Sequence, residues 1–359
     1  MLSWLLLLAL WVPSARQACV TLQQDVKWLS SVASDAGATS FAQLGWNFST
    51  NATSKLFVHD PCEERWPRVG CNATTGCLVG LNLSYLPLLH SQLPPSVFTL
   101  SSLQSLDARK SGLTTWSAAA RNLPKALNLT RLDLGNNQLS DLPKTLYDTT
   151  ALTYLDLSSN WISGVLSSAI GNLRRLRYLN LGLNMNPYFQ FIAGNLESLP
   201  SSLEHLDLAL CLFGPSLPSS LFTLTSLSFL DLSVNVMKGT LSSSIGMLSR
   251  LQVLNLEANK MTGTIPPISL ASLRFINLRQ NKFSGRLPLQ LLNNALTFLD
   301  LTYNSLTSLP TEIGNLHSLG YLSLGYNPSL SSFPSEIFDL TSLESLSLSG
   351  LKACPCSLK

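Results

Sequence analysis

The sequence predicts an α/β solenoid, in which short strands from successive repeats build one parallel β-sheet. The main observation is a leucine pattern that returns every 22 to 27 residues. A second observation is composition: 45% of the 359 residues are hydrophobic and only 12% are charged, which excludes a disordered chain. The 23 basic and 20 acidic residues give a net charge of +3 without a block of like charge, so neither a nucleic acid nor an anionic membrane is indicated as a partner.

The repeating unit follows the pattern LxxLxLxxNxL, and its copy at Leu129 is LTRLDLGNNQL. Further copies begin at Leu152, Leu176, Leu203, Leu227, Leu251, Leu273, Leu296 and Leu319, a partial copy begins at Leu343, and two looser copies begin at Leu78 and Leu103. This is the leucine-rich-repeat pattern, which predicts a horseshoe of about 11 to 12 repeats with a concave parallel sheet.

Physical chemistry assigns a role to each fixed position of the repeat. A strand through LxL turns its leucines inward and the intervening residues outward, and a single unit cannot bury its leucines without neighbours. The asparagine of each repeat is expected to be a buried amide that satisfies backbone groups of adjacent turns. The members of this asparagine ladder are Asn137, Asn160, Asn184, Asn235, Asn259, Asn281, Asn304 and Asn327. Cys211 takes the same position in its repeat and is expected to be a buried structural thiol.

The ends of the chain suggest a secreted protein. Residues 1–18 resemble a signal peptide, since the apolar run from Leu5 to Trp11 is too short to span a bilayer, and no later stretch is long enough to do so. We therefore expect no membrane insertion after signal removal. Residues 19–77 are expected to form an N-terminal cap, 78–350 the repeats, and 351–359 a short or truncated C-terminal segment.

Secretion makes two further features interpretable. Asn-X-Ser/Thr sites, which accept glycans in secreted proteins, occur at Asn47, Asn51, Asn72, Asn82 and Asn128. The four disulfide candidates Cys19, Cys62, Cys71 and Cys77 fall in the predicted cap, and the sequence itself leaves all three pairings open. Cys354 and Cys356 are too close together for an unstrained bridge; they indicate either a truncated chain or pairing with another chain.

Two groups of motifs resemble plant-type extracellular leucine-rich-repeat proteins. GVLSSAIGNL from Gly164, GTLSSSIGML from Gly239 and GTIPP from Gly263 are similar to the LxGxIPxxLGxL half-repeat, and PCEERWPRVGC from Pro61 is similar to the cap motif. The cap resemblance covers residues 25 to 83 and implies an amphipathic helix from Asp25 to Leu44. It also implies a Cys62–Cys71 disulfide, which would leave Cys19 to pair with Cys77.

The outward strand positions supply the candidate binding site on the concave face. One column is mostly aromatic and contains Tyr154, Tyr178, His205, Phe229, Phe275, Phe298 and Tyr321. The polar column beside it contains Asp156, Asn180, Asp207, Asp231 and Asn277. Exposed aromatic rings beside polar groups suit sugar rings or peptide side chains. The same residues can also serve only to shield the sheet, because aromatic residues favour strands. The long loop that follows Asn184 is a second candidate.

No constellation of catalytic residues accompanies these features. The four histidines are scattered, and the sequence contains no HExxH, GxSxG or Walker-type loop, so we expect neither an enzyme nor a bound metal or cofactor.

The sequence predicts an extracellular recognition module that binds a protein, a peptide or a polysaccharide in signalling or defence. The resemblance also implies a co-receptor as a partner. Alternatives are a secreted inhibitor of cell-wall-degrading enzymes of the polygalacturonase-inhibitor type, a fragment of a receptor kinase ectodomain, and a structural wall protein.

Overall fold

The structure is a computed structural model that describes residues 22–35, 61–62, 65–73, 77–86, 88, 91–93, 95–99, 102–117, 121, 128–184, 192–194 and 196–351. The chain forms two compact units, Met1–Leu155 and Asp156–Lys359. Both units repeat one theme, a three-residue strand followed by a loop and, in most repeats, by a short 3-10 helix. The leucine-rich-repeat solenoid predicted from the sequence is confirmed.

The first unit combines one α-helix with the first strands. Its elements are α1 (Leu22–Asp35), β1 (Val69–Cys71), β2 (Leu78–Asn82), β3 (Ser105–Asp107) and β4 (Arg131–Asp133), while β5 (Tyr154–Asp156) lies where the chain enters the second unit. Short 3-10 helices cover Pro95–Thr99 and Lys144–Asp148. β1 is antiparallel to β2, and β2, β3 and β4 pair in parallel.

Helix α1 buries one face, because Leu29, Val32 and Ala33 recur at helical spacing and are fully buried. This helix contacts the 3-10 helix Pro95–Thr99. The helix expected from Asp25 to Leu44 is therefore present as far as Asp35 and begins three residues earlier; positions 36–44 lie outside the described residues.

The region around β1 contains a disulfide and a close approach of two glycines. Cys62 is bonded to Cys71, which confirms the pairing implied by the resemblance. Gly70 lies opposite Gly80, and a Cβ atom on Gly70 would lie 3.2 Å from the Gly80 Cα atom, so larger residues would separate the two strands. Cys77 is also disulfide-bonded. Cys19 lies outside the described residues, so the Cys19–Cys77 pairing stays a prediction.

The second unit contains the main parallel sheet of the later repeats. Its strands are β7 (Tyr178–Asn180), β9 (His205–Asp207), β10 (Phe229–Asp231), β12 (Val253–Asn255), β14 (Phe275–Asn277), β16 (Phe298–Asp300), β18 (Tyr321–Ser323) and β19 (Ser345–Ser347). They pair in register in that order. The central leucine or isoleucine of each strand from β7 to β18 is buried, so the residues on either side of it face outward.

Further strands outside the main sheet were not predicted from the sequence. β6 (Gly164–Leu166) pairs with β8 (Ile192–Gly194). The other four strands form what we call the second sheet: β11 (Lys238–Gly239), β13 (Lys260–Thr264), β15 (Lys282–Arg286) and β17 (Ser305–Ser308), all parallel. Short 3-10 helices follow at Ser168–Asn172, Leu196–Ser198, Ser219–Thr223, Ser243–Met247, Leu289–Leu291, Thr311–Asn315 and Ser335–Asp339.

The asparagine ladder is confirmed. Asn235 is typical: its Nδ2 donates to the carbonyls of Leu208 at 2.8 Å and Leu232 at 2.9 Å, while its Oδ1 accepts from the amides of Cys211 and Phe213. The eight predicted members are all buried. Each one joins backbone groups that would otherwise lack partners in the core, and this is why the position requires an amide side chain.

Several sequence predictions fall on residues that the structure does not describe. The signal peptide, the sites at Asn47 and Asn51, the aromatic residues of the loop after Asn184, and Cys354 and Cys356 all lie outside the described residues. Asn128 is exposed, while Asn72 and Asn82 are half-buried, and glycosylation of all three stays a prediction. None of the helices within the described ranges is long and apolar enough to cross a membrane.

Candidate functional site

The solvent side of the main sheet in the second unit, which we call the strand face, brings the predicted aromatic residues into one row. Strand register sets this arrangement, since Tyr178 pairs with His205, His205 with Phe229, and Phe275 with Phe298. We call the complete row the aromatic column: Tyr178, His205, Phe229, Val253, Phe275, Phe298 and Tyr321. Every member is half-buried, so each side chain packs against its neighbours and also meets solvent.

Ring stacking organises the aromatic column into two groups. His205 lies between Tyr178 and Phe229, with ring centroids 4.1 and 4.0 Å apart and planes within 12° of parallel. The second group is Phe275, Phe298 and Tyr321, with centroid separations of 4.3 and 4.4 Å. Val253 separates the two groups. Stacking of this kind is worth about 0.5–1.5 kcal/mol per pair, so the rings stabilise the sheet and also present rigid apolar surface.

The polar column beside the rings has a structural role that the sequence did not reveal. Asp156, Asn180, Asp207, Asp231 and Asn277 each accept a hydrogen bond from the backbone amide two residues later, at 2.8 to 3.1 Å. This bond closes the turn that ends each strand. An Asp or Asn at this position is therefore explained by the turn, and its remaining polar atoms are the part that can meet a ligand.

Those remaining atoms are partly engaged in the described structure. Asn255 donates to the second carboxylate oxygen of Asp231 at 2.8 Å, and Asn277 donates to Glu257 at 2.9 Å. Asp207 lies against Gly182, where an added Cβ atom would come within 2.8 Å of its carboxylate. The missing side chain at Gly182 thus makes room for the Asp207 carboxylate.

Burial changes the ionisation of two neighbouring groups on β9. Burial lowers the pKa of His205 to about 4, although Asp156 and Asp231 act to raise it. Burial also raises the pKa of Asp207 to about 6; the Ala209 amide opposes this shift, and Asp231 and Asp156 add to it. The Nε2 atom of His205 is buried and has no hydrogen-bond partner among the described residues, so no acceptor there stabilises a protonated ring.

Tyr154 belongs to the first unit and has different surroundings. The Arg131 guanidinium lies 3.5 Å from the centre of the Tyr154 ring and also pairs with Asp133 at 3.0 Å. Arg109 pairs with Asp107 at 2.8 Å and approaches Asp133 at 3.5 Å. This predicted site residue is thus covered by a charged cluster, whereas the other ring-bearing members of the predicted site are stacked on one another.

A third column, formed by the residues directly before the ladder asparagines, borders the strand face. It was not predicted from the sequence. The residue before each ladder asparagine adopts a positive φ, for example 60° at Leu183 and 54° at Val234. Leu183, Tyr303 and Tyr326 are 52%, 43% and 45% exposed, and the two tyrosine rings stack at 4.2 Å. The sequence signal for this column is an apolar residue directly before the ladder asparagine. That position adopts a left-handed backbone conformation, which asparagine or glycine would adopt more easily.

Other kinds of site find little support in the described ranges. No group of His, Cys, Asp or Glu side chains there could hold a metal ion. An open polar recess of about 250 Å³ lies near the starts of β9, β10 and β12 and is lined by Glu204, Ser226, Ser228, Arg250, Gln252 and Ser272. Cys211 is buried, and burial raises the pKa of its thiol to about 12, so it has the properties of a structural residue.

Comparison with known proteins agrees with this architecture. The leucine-rich-repeat family pattern matches residues 127–185 and 294–350. The Receptor like protein 22 of Arabidopsis thaliana is 36% identical over 143 residues, which are 39% of this chain and 18% of that protein. A second Arabidopsis match, Receptor-like protein 50, is covered over 11% of its length. The chain thus spans less than a fifth of these plant relatives.

Solved structures extend the similarity over most of the chain. The Arabidopsis receptor kinase HAESA ectodomain, solved in complex with an IDA peptide hormone, is 30% identical with a TM-score of 0.67; the match covers 90% of this chain and 54% of that ectodomain. A leucine-rich-repeat protein of Leptospira interrogans is 32% identical with a TM-score of 0.54, over 72% of this chain and 69% of that one. The chain therefore belongs to the leucine-rich-repeat family, and its resemblance to plant-type extracellular members of that family is confirmed.

Proposed function

We propose that this protein is an extracellular recognition module that binds a peptide or an extended protein segment along the strand face of its second unit. The observation that carries the proposal is the aromatic column, because two stacks of half-exposed rings give rigid contact area beside polar atoms. The HAESA ectodomain, which shares this fold, was solved with a peptide hormone, and this supports a peptide ligand.

The arrangement suits an extended chain for a physical reason. Parallel strands place equivalent side chains side by side at about 4.8 Å, so the aromatic column forms a continuous strip across successive repeats. The rings supply apolar contact. The Asn180 amide nitrogen donates to the Tyr178 hydroxyl at 3.5 Å and keeps a second N–H group for a ligand, while the Asp207 carboxylate offers an acceptor beside it. A bound segment that follows the row would thus meet apolar contacts on one side and polar contacts on the other.

The proposal predicts that peptides selected against the chain depend on the second ring stack. A displayed library of random peptides, panned on the purified protein, supplies defined ligands. Replacing two adjacent rings, Phe275→Ala and Phe298→Ala, should weaken their binding at least about tenfold, because central aromatic residues carry much of the energy at interfaces. Titration by biolayer interferometry measures the change.

A matched control uses apolar side chains that do not lie on the strand face. Phe338 and Met247 are 58% and 55% exposed and belong to 3-10 helices. The double variant Met247→Ala with Phe338→Ala should leave peptide affinity unchanged. Peptides that bind the Phe275/Phe298 variant at full strength and lose affinity for the control variant would rule out the strand face as the site. Circular dichroism verifies that both variants are folded.

A further inference from the structure

We propose that the outward face of the second sheet is a separate docking surface for an acidic polysaccharide of the polyuronate type. The face is built from the strands β11, β13, β15 and β17. It gathers cations that are dispersed along the sequence and places rows of hydroxyl groups beside them.

Strand alternation determines which side chains appear on this face. Met261, Phe283 and Leu306 point into the core and are fully buried. Their neighbours point outward, so Lys260 and Lys282 are exposed on adjacent strands. The described outward positions contain only cationic and hydroxyl side chains: Lys238, Thr240, Lys260, Thr262, Thr264, Lys282, Ser284, Arg286, Ser305 and Thr307.

Register places two of the cations side by side and the other two beside hydroxyl groups. Lys238 pairs with Lys260 across β11 and β13, and Thr262 pairs with Lys282 across β13 and β15. Paired residues of parallel strands project to the same side of the sheet, so each lysine has a cationic or hydroxyl neighbour on the next strand. Among the described residues, none of the four basic side chains of this face forms an ion pair.

The local charge is much higher than the net charge of the chain indicates. Residues 232–299 contain seven Lys or Arg and a single acidic residue, Glu257. That glutamate belongs to the strand face, where it approaches Arg279 at 3.7 Å. The cations of the second sheet therefore lack a local counter-charge, which favours an anionic partner through complementarity.

Threonine packing holds the hydroxyl rows in place. A Cβ atom on Gly263 would lie 2.7 Å from the Thr240 methyl group, and one on Gly285 would lie 3.0 Å from the Thr264 methyl group. Each methyl group thus covers a glycine of the next repeat, which fixes the threonine. The hydroxyl groups of Thr240 and Thr264 are left as donors and acceptors for a bound molecule. The Thr262 hydroxyl donates to the Gly239 carbonyl at 3.4 Å and still offers its acceptor lone pairs.

The composition of the face selects a polysaccharide over other polyanions. Protein interfaces depend on buried aromatic and apolar anchors, and a lipid surface is bound by inserted apolar side chains, but this face presents neither. A polyuronate carries one carboxylate and free hydroxyl groups on every sugar, which match a surface of lysines and threonines. Its repeating charge also allows several weak contacts to act together.

The test uses alginate, a soluble polyuronate, with neutral dextran and polyglutamate as comparison polymers. The folded chain should bind immobilised alginate at low salt and should not bind dextran. Raising the salt from about 0.05 to about 0.3 M should weaken binding at least about tenfold, since exposed charges are screened. Polyglutamate should bind more weakly than alginate, because it cannot use the hydroxyl rows.

Two variants with the same change in net charge locate the site. Lys260→Gln with Lys282→Gln should weaken alginate binding about tenfold, whereas Arg174→Gln with Arg175→Gln, at exposed positions outside the second sheet, should change it less than about twofold. Lys260→Arg with Lys282→Arg should retain binding.

A further variant tests the hydroxyl rows. Thr262→Val with Thr264→Val should weaken alginate binding about threefold and leave polyglutamate binding unchanged, since only the hydroxyl groups are lost.

Several results would overturn the proposal. These are absence of alginate binding at low salt, an equal loss in the lysine and arginine variants, and polyglutamate binding as strong as alginate binding. Lysine-dependent binding to phosphatidylserine vesicles in place of alginate would also contradict it. Peptide binding by the strand face is measured separately, so the two proposals can fail independently.

Discussion

His205 and Asp207 occupy the two outward positions of β9, and their ionisation acts on stability in opposite directions. Burial lowers the pKa of His205 from 6.5 to about 4, so the unfolded chain takes up this proton first. Its contribution to stability is complete above pH 6.5 and is lost as the pH falls toward 4. Burial raises the pKa of Asp207 from 3.8 to about 6, so the folded chain takes up that proton first, and acidification is stabilising at this residue.

These opposite signs lead to a prediction for two single substitutions. Asp207→Asn leaves His205 as the titrating group of the pair. As the pH falls from about 7 to about 4.5, the free energy of unfolding of this variant should therefore decrease relative to that of the unmodified chain. His205→Phe keeps a ring between Tyr178 and Phe229 and leaves Asp207, so it should gain relative stability over the same interval. Urea midpoints at both pH values measure the two changes. Shifts of the same sign would contradict the pKa assignments.

At the level of single residues, the ladder position was predictable from the sequence. The eight asparagines were predicted because a buried amide must serve two turns at once, and Cys211 was correctly assigned as a buried thiol. Asn235 donates to the Leu208 carbonyl of the preceding repeat, and the Cys211 thiol donates to the equivalent carbonyl, that of Leu181, at 3.0 Å. The thiol thus keeps the bond between repeats that the amide makes elsewhere, which explains why cysteine is tolerated at this position.

At the level of elements, the strands of the main sheet were predictable and the second sheet was not. The LxL pattern locates β9, β10 and their neighbours because alternating leucines point into the core. Three strands of the second sheet begin one residue after a ladder asparagine, and the buried Met261, Phe283 and Leu306 occupy the last leucine position of the repeat pattern. A single fixed apolar position does not distinguish a short strand from a loop. The geometry of the second sheet depends on glycines at positive φ, which the sequence shows only as part of a loop.

Two glycines of the second sheet give a prediction that separates backbone strain from packing. Gly239 and Gly263 have φ values of 82° and 81°, but only Gly263 has a neighbour, the Thr240 methyl group. Gly239→Ala should lower the free energy of unfolding by about 1 kcal/mol through strain alone. Gly263→Ala should cost about 1–3 kcal/mol more, because the new methyl group collides with Thr240.

A second-site change checks the cause of that difference. Adding Thr240→Ala to the Gly263→Ala variant removes the collision, so urea denaturation should show that most of the extra loss is recovered. If Gly239→Ala and Gly263→Ala are equally destabilising, the packing explanation is wrong and strain accounts for both.

At the level of the whole molecule, the fold followed from the repeat, while the distribution of charge did not. The net charge of +3 gave no indication of an anionic partner, because the lysines are separated by 22 residues along the chain, at positions 238, 260 and 282. The repeat length returns them to neighbouring strands of one sheet. The aromatic column was predictable for the same reason, since its members fall at one fixed position of the repeat.

Two surfaces of the second unit therefore differ in chemistry. The strand face presents stacked rings and acidic or amide side chains, and the second sheet presents lysines and hydroxyl groups. The first suits an extended peptide and the second a polyanionic glycan. The central claim is that the strand face is the surface that recognises the ligand.

Hydroxyl-radical footprinting of the chain with a selected peptide tests this claim most directly, because it reports the solvent access of individual aromatic side chains. Bound peptide should lower the oxidation of Phe275, Phe298 and Tyr321 by at least about threefold, since central interface side chains lose their contact with water. Oxidation of Phe338, which is 58% exposed and belongs to a 3-10 helix, should not change. Protection of Phe338 with unchanged oxidation of the aromatic column would contradict the account.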